Sequence, residues 1–236
     1  MGWGGLGSVR AEAVARIRGD GSTLGMLESL TVPAQERNSS WTMVVLHGLG
    51  DSLAGYRWLP EALGLPWLGY RLVNAPDHYF GGYSWYDFAG NPGPGVERSR
   101  GLLVDLLERQ VAEGIPSERT FVLGFSQGCL MTLEVGARYP RRLAGCVGIS
   151  GYVHEPDRLL NSLSPVARDQ RFLVTHGDAD PLIPLGPVRG QIERLKAAGL
   201  NITWREFAKE HTIAGEEELA VIREFLESAR KHAAAA

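Results

Sequence analysis

TFVLGFSQGCLMTLEVGAR, residues 120–138, is the stretch from which the fold can be read. Phe121–Leu123 is a short apolar run of the kind that forms a buried strand. Gly124-Phe125-Ser126-Gln127-Gly128 is a G-x-S-x-G turn. Cys129–Arg138 then carries the spacing of an amphipathic helix. A strand that reverses sharply into a helix at a serine lifts that hydroxyl clear of the sheet, and the flanking glycines remove side chains that would collide in the turn. An ordinary strand-to-helix loop with a capping serine is the competing reading.

Strands and helices alternate outward from this point. Strands are expected at Leu27–Val32 (an edge), Thr42–Leu46, Arg71–Asn74, Thr120–Leu123, Leu143–Ile149, Phe172–Thr175 and Asn201–Phe207. Helices are expected at Ser99–Glu113, from the turn to about Arg138, at Gly190–Ala198 and at Glu216–Ala229. This alternation indicates one α/β domain with a mostly parallel central sheet and helices on both faces, over residues 24–230. Residues 1–23 read as an N-terminal extension, flexible or a short helix at Val9–Arg18. Residues 231–236 read as a C-terminal tail whose alanines are a frayed helix end.

Composition removes several alternatives. The chain has 236 residues, 24 Lys plus Arg against 27 Asp plus Glu, and so a formal charge of −3. That balance lacks the basic footprint of a nucleic-acid partner. No apolar run reaches the ~18 residues needed for a membrane span. Two cysteines, Cys129 and Cys146, make neither a disulfide framework nor a zinc site and are expected buried and free. The first residues lack a secretory h-region, so a cytoplasmic setting is the expectation.

In parallel sheets, ligands gather beyond the carboxyl ends of the strands. The chemically capable residues fall there. Ser126 needs a base, usually a histidine oriented by a carboxylate. In this topology the chain order is serine, acid, histidine. Of the histidines far enough beyond Ser126, His232 lies in the tail and His176 precedes the candidate acid. His211 sits between the last strand and the last helix, where the base belongs. The acid should follow Phe172–Thr175, where HGDADP (176–181) offers Asp178 and Asp180. Asp180 is the choice, because Pro181 and Pro184 shape a loop able to turn it toward His211, whereas Asp178 suits a turn hydrogen bond. His47 and His176 read as structural imidazoles bonded to nearby backbone, and His78 and His154 as loop residues near the cleft.

Acyl transfer places negative charge on a carbonyl oxygen, and each preorganised N–H donor there contributes about 3–4 kcal/mol. Gln127 N–H, at the start of a helix, is one expected donor. Leu49 N–H, in the glycine-bearing loop LHGLGD (46–51), is the other. A plain glycine turn is the competing reading of that loop. Pro76–Gly95 is rich in Gly, Pro and aromatics and is expected to line an acyl groove, with Trp85 nearest the cleft and Tyr83 beside it. These two and Leu182 are the expected substrate-binding residues. Simple packing of these aromatics on the core is the alternative. Only about twenty residues, Gly151–Gln170, separate two strands at the place where many relatives of this fold insert a lid, so an open cleft without a large lid domain is expected.

LHGLGDS (46–52), NAP (74–76), SWYDF (84–88), GIPSER (114–119), GFSQG (124–128), LAGCVGISGY (143–152), HGDADPLIPL (176–185) and EHT (210–212) together resemble the carboxylesterase and acyl-protein thioesterase family of α/β-hydrolases, across about residues 40–226. The resemblance implies the α/β-hydrolase fold, a triad of Ser126, Asp180 and His211, and oxyanion donors at Leu49 and Gln127. It also implies no metal or cofactor. Dimers are common among similar proteins, which leaves a homodimer open, but no interface can be read from these residues. Two positions depart from the family pattern. Cys129 and Leu130 follow the elbow where small residues are usual, and Glu210 precedes His211 where Gly or an apolar residue is usual. The reading is a serine carboxylesterase acting on small short- to medium-chain esters, with an acyl-protein thioesterase or lysophospholipase as the alternative. A non-catalytic binding protein on the same scaffold is the reading from outside the enzymes.

Overall fold

The computed structural model describes residues 25–234, so the expectation for residues 1–23 lies outside the described residues. Seven strands form one sheet: β1 (Ser29–Val32), β2 (Trp41–Leu46), β3 (Leu68–Val73), β6 (Thr120–Phe125), β7 (Gly145–Ile149), β8 (Arg171–Gly177) and β9 (Asn201–Phe207), in the order β1-β3-β2-β6-β7-β8-β9. Only β1 is antiparallel, pairing Ser29 with Val73, and it occupies an edge. All the other pairings are parallel. The central strands are buried nearly end to end, as a sheet covered on both faces requires.

The helices are α1 (Leu59–Leu63), α2 (Pro92–Ala112), α3 (Gln127–Arg138), α4 (Pro156–Leu160), α5 (Leu185–Ala197) and α6 (Gly215–Ala234). Two apolar clusters follow from this layering. One joins α2, α3 and α5 to one face of the sheet through Leu103, Leu107, Leu130, Val135, Ile192 and Leu195. The other joins α1 and α6 to the opposite face through Leu59, Leu63, Ile222 and Leu226. Both cysteines are buried and free.

Several elements depart from the sequence expectations, among them β3, which begins at Leu68 rather than Arg71, and α1, where no helix was expected. Helix α2 starts at Pro92, seven residues before Ser99, because the Asn91 side chain accepts the Gly93 N–H and a proline occupies the first helical turn. Helix α5 likewise begins earlier, at Leu185, directly after Pro184. The Pro76–Gly95 stretch contains a hairpin, β4 (Asp77–Tyr79) with β5 (Gly82–Ser84). Helix α6 continues past Ala229 to Ala234, with Lys231 and His232 in its last turn, where cations suit the helix dipole. Between β7 and β8 only the five-residue α4 is regular, so no large lid covers the sheet there.

The turn between β6 and α3 depends on two close backbone approaches. A Cβ on Gly124 would come within 2.0 Å of the Gly128 carbonyl oxygen, and one on Gly128 within 2.2 Å of the Leu46 carbonyl oxygen. Neither obstacle is a flexible side chain that can swing away. Gly128→Ala is expected to destabilise the protein by about 2–3 kcal/mol, as overpacking against backbone does. Thermal unfolding should show this as a fall in Tm of about 5–10 °C; an unchanged Tm would mean that α3 shifts freely against β2.

Candidate active site

Ser126 stands where β6 ends and α3 begins, with φ 55° and ψ −113°. An L-residue adopts that backbone only at a cost, about 1–3 kcal/mol, and only where its surroundings leave no alternative. Here the Ser126 N–H donates to the Ile149 carbonyl at 2.9 Å, and the Ser126 carbonyl accepts the Leu130 N–H at 3.2 Å. From Gln127 to Ala137 every residue of α3 is buried, which fixes the helix and the turn with it.

The structure brings Ser126, His211 and Asp180 into one hydrogen-bonded chain. His211 Nε2 lies 3.0 Å from Ser126 Oγ, and His211 Nδ1 lies 2.7 Å from Asp180 Oδ2. The Asp180 Oδ1 atom accepts the backbone N–H groups of Leu182 and Ile183, both at 2.9 Å. Burial pushes the Asp180 carboxyl upward. The Ile183 and Leu182 N–H groups and the His211 ring more than offset this and hold it below the usual aspartate range. Its contribution to stability is therefore present above the usual range and lost as pH falls below that range through the lowered value. An ionised carboxylate accepts from Nδ1–H, which leaves Nε2 free to take the serine proton. Asp178, by contrast, is exposed, with its backbone N–H on the Phe207 carbonyl. Phe125 packs against the His211 ring at 5.0 Å between centroids.

The loop after β2 lies against the serine: a Cβ on Gly48 would sit 3.4 Å from the Ser126 Cβ. Leu49 belongs to this loop, and Gln127 is the first residue of α3, whose opening N–H groups have no partner within the helix. The loop is fixed from below. His47 Nδ1 bonds the Gly48 carbonyl at 2.6 Å and Nε2 accepts the Ala75 N–H at 3.0 Å, so this imidazole is engaged with backbone at both nitrogens. Burial lowers its pKa and keeps it neutral. His176, whose Nε2 bonds the Ile183 carbonyl at 2.8 Å, is likewise buried with its pKa lowered by burial. Glu210 is exposed to solvent.

Trp85 does not line the cleft. It is fully buried, donating from Nε1 to the His47 carbonyl and from its backbone N–H to Gln127 Oε1, both at 2.9 Å. Its indole is a large apolar group with one polar handle, and that handle is spent on the loop that carries Leu49. Tyr83 places its hydroxyl toward Glu28 at 3.4 Å and lines a cavity with Asn74 and Arg98, one in which neither Ser126 nor His211 takes part. Leu182 is 70% exposed beside Asp180. His78 lies in β4, its ring tilted against that of Tyr83 at 5.0 Å between centroids. A cavity of about 350 Å³ adjoins the triad, lined by His211, Phe125, Asp51, Tyr56, Trp58 and Ile213 among others. Among the described residues, no group of three or more His, Cys, Asp or Glu is placed to hold a metal ion.

Two features escape sequence reading. The Gln127 side chain donates from Nε2 to the Tyr86 carbonyl at 3.0 Å while Oε1 accepts the Trp85 N–H, so one amide ties the aromatic segment to the elbow. The Lys209 ammonium is buried against Glu218. No strand phase could have marked it: the chain bends at Ala208, with the Lys209 N–H donating back to the Phe207 carbonyl at 2.8 Å, so the alternation of β9 does not carry past Phe207.

A strained serine at a strand–helix elbow, joined through a histidine to a carboxylate at the carboxyl end of a parallel sheet, defines an α/β-hydrolase of the serine type. Residues 27–230 match the phospholipase/carboxylesterase family, and the chain belongs to that family, whose members are ester hydrolases. Acyl-protein thioesterase 1 of Schizosaccharomyces pombe is 36% identical over 157 residues, covering 61% of this chain and 70% of that protein. Acyl-protein thioesterase 1 of Yarrowia lipolytica is 30% identical over 218 residues, covering 84% and 96%. The crystal structure of Zea mays acyl-protein thioesterase 2 superposes with a TM-score of 0.72 at 25% identity, covering 86% of this chain and 98% of that one. No described helix is long and apolar enough to cross a membrane.

The Asp180 carboxylate can be tested apart from the fold. Asp180→Asn keeps the shape but offers His211 an amide, and the imidazole tautomer is then free to reverse. A loss of about 10⁴-fold in kcat, the size seen for the corresponding change in a serine protease, is expected with KM little altered. Steady-state kinetics at pH 8 measures it; retained activity would return the acid role to Asp178.

Proposed function

We propose that the protein cleaves acyl thioesters and esters through an acyl-enzyme on Ser126, with an acyl-protein thioesterase as the first reading. The observation that carries the chemistry is the unbroken path from Ser126 Oγ through the His211 ring to Asp180, at 3.0 and 2.7 Å. His211 Nε2 takes the serine proton as Oγ attacks the carbonyl carbon. The Leu49 and Gln127 N–H groups receive the developing oxyanion. His211 then returns the proton to the departing thiol or alcohol. Water, deprotonated by the same nitrogen, releases the acid and restores the serine.

The thioester reading draws on the names of the relatives and on one feature of the fold. Without a large lid between β7 and β8, a bulky acylated partner meets little obstruction at the sheet edge. Exposed apolar groups at Leu182, Phe80, Phe88 and Trp58 supply surface for an acyl chain. The family also supports a carboxylesterase acting on small short- to medium-chain esters, favoured by the modest 350 Å³ of the cavity beside His211.

Ser126→Ala should lower kcat by more than about 10⁴-fold on every acyl substrate, since removal of a triad nucleophile leaves only the binding and oxyanion contributions. Wild-type rates on a palmitoyl thioester peptide and on p-nitrophenyl butyrate, measured side by side, separate the two substrate readings. Higher kcat/KM on the peptide supports the thioesterase. Preference for the butyrate supports the carboxylesterase, and an unimpaired alanine variant would refute the serine assignment altogether.

A further inference from the structure

We propose that Lys209 and Glu218 are positioning residues: their buried ion pair clamps the loop that carries His211 and sets the ring's approach to Ser126. This rests on the reading of His211 as the general base.

His211 lies in the seven-residue connection between Phe207, the end of β9, and Gly215, the start of α6. Glu210 and Thr212, on either side of it, are exposed, and the Thr212 N–H donates to the Glu210 carbonyl at 2.8 Å. The anchoring is done at Lys209. Its Nζ reaches both carboxylate oxygens of Glu218, at 2.6 and 2.7 Å, and the two side chains are 2% and 0% exposed. Glu218 Oε2 also accepts the Ala214 N–H at 2.7 Å. One carboxylate thus grips the connection on both sides of His211, two residues before it and three after.

The backbone of Lys209 makes a second junction. Its carbonyl accepts the Ala179 N–H at 3.2 Å, and its own N–H donates to the Phe207 carbonyl at 2.8 Å. The end of β8 lies so close that a Cβ on Gly177 would come within 2.2 Å of the Lys209 carbonyl oxygen. Lys209 therefore joins three parts: the histidine loop, the Asp180 loop through Ala179, and helix α6 through Glu218. Its aliphatic stem is buried and its ammonium lies 5.9 Å from the Phe207 ring. Burial pushes the ammonium's pKa down, and Glu218 and Asp180 act in the opposite sense.

A directional tie of this kind matters because the proton path tolerates little displacement. A shift of about 1 Å at a reacting centre costs on the order of 100-fold in rate. The test compares wild type with Lys209→Met/Glu218→Met, which removes both charges together and leaves neither buried alone. The double variant should keep its far-UV circular dichroism and cooperative unfolding. Its kcat on p-nitrophenyl butyrate should fall about 10- to 100-fold with KM changed less than about 3-fold. Labelling of Ser126 by a fluorophosphonate should slow in proportion, and the low-field proton resonance of the His211 Nδ1–H should broaden away.

A folded double variant with wild-type kcat and an intact resonance overturns the proposal. Hydrogen exchange on the wild-type protein decides the matter if the variant does not fold. Ala214 amide protection equal to that of β8 supports the clamp, and exchange at the rate of exposed backbone refutes it. Failure of wild-type Ser126 to label would instead count against the proposed esterase chemistry, and the exchange result stands apart from that.

Discussion

The constraint on which the site depends is the left-handed backbone at Ser126. A residue held at φ 55° and ψ −113° stores strain, and strain persists only if the surrounding structure over-determines the conformation. The protein meets this by burying the residues that lead into and out of the turn, 120–124 before it and 127–137 after it. Strand β6 pairs with β2 and β7 at the centre of the sheet, and α3 is buried along its whole length against both. Relaxing Ser126 would require sliding a buried helix over a buried sheet. The hydroxyl is therefore presented by the packing of the core rather than by contacts of its own side chain, apart from His211.

A second set of contacts ties the expected oxyanion donors to that same turn. Gln127 contributes its backbone at the start of α3 and its side-chain amide to Trp85 and Tyr86. Trp85 in turn holds the His47 carbonyl, one residue before Gly48. The loop after β2 and the elbow are thus connected through a buried aromatic rather than left to pack independently. This separates two tasks. The buried set, with His47, Trp85 and Gln127, fixes the backbone of the two segments that carry the expected oxyanion donors. Phe80, Phe88, Trp58 and Leu182, by contrast, are exposed and are free to vary in what they touch.

The parts legible in the sequence were those governed by local rules. Strands β2, β6 and β9 lie within two residues of their expected limits, because β-branched and apolar runs between turn signals leave few alternatives. Ser126 could be chosen from the G-x-S-x-G elbow, His211 from strand ends and chain order, and Asp180 over Asp178 from the loop that Pro181 and Pro184 shape. The start of α2 was hidden because Asn-Pro-Gly-Pro-Gly (91–95) reads as loop, although Asn91 caps it and Pro92 suits a first turn. Trp85 was misplaced for a different reason. A tryptophan in a glycine-rich loop looks equally suited to a groove or to a core, and only the tertiary partners of its N–H decide. The sequence pattern also carries no sign of which carboxylate meets Lys209, since Glu216, Glu217 and Glu218 are consecutive. The pitch of α6 turns only the last of them inward.

The three members of the proposed proton path are held by means of very different stiffness. Ser126 is fixed between a strand and a helix. Asp180 is fixed by two backbone N–H groups across its own tight turn. His211 has only a connection between elements, and its ring must satisfy both other members at once. An apolar contact beneath that connection would hold it in place but would tolerate rotation, because dispersion has little directional preference. A buried ion pair adds little net stability, since desolvation of both charges offsets most of their attraction. What it adds is direction: an ammonium with two carboxylate oxygens at 2.6 and 2.7 Å, both side chains buried, has few alternative arrangements. A polar pair at Lys209 and Glu218, where the core would otherwise be apolar, is the arrangement expected where orientation of the loop matters more than its free energy.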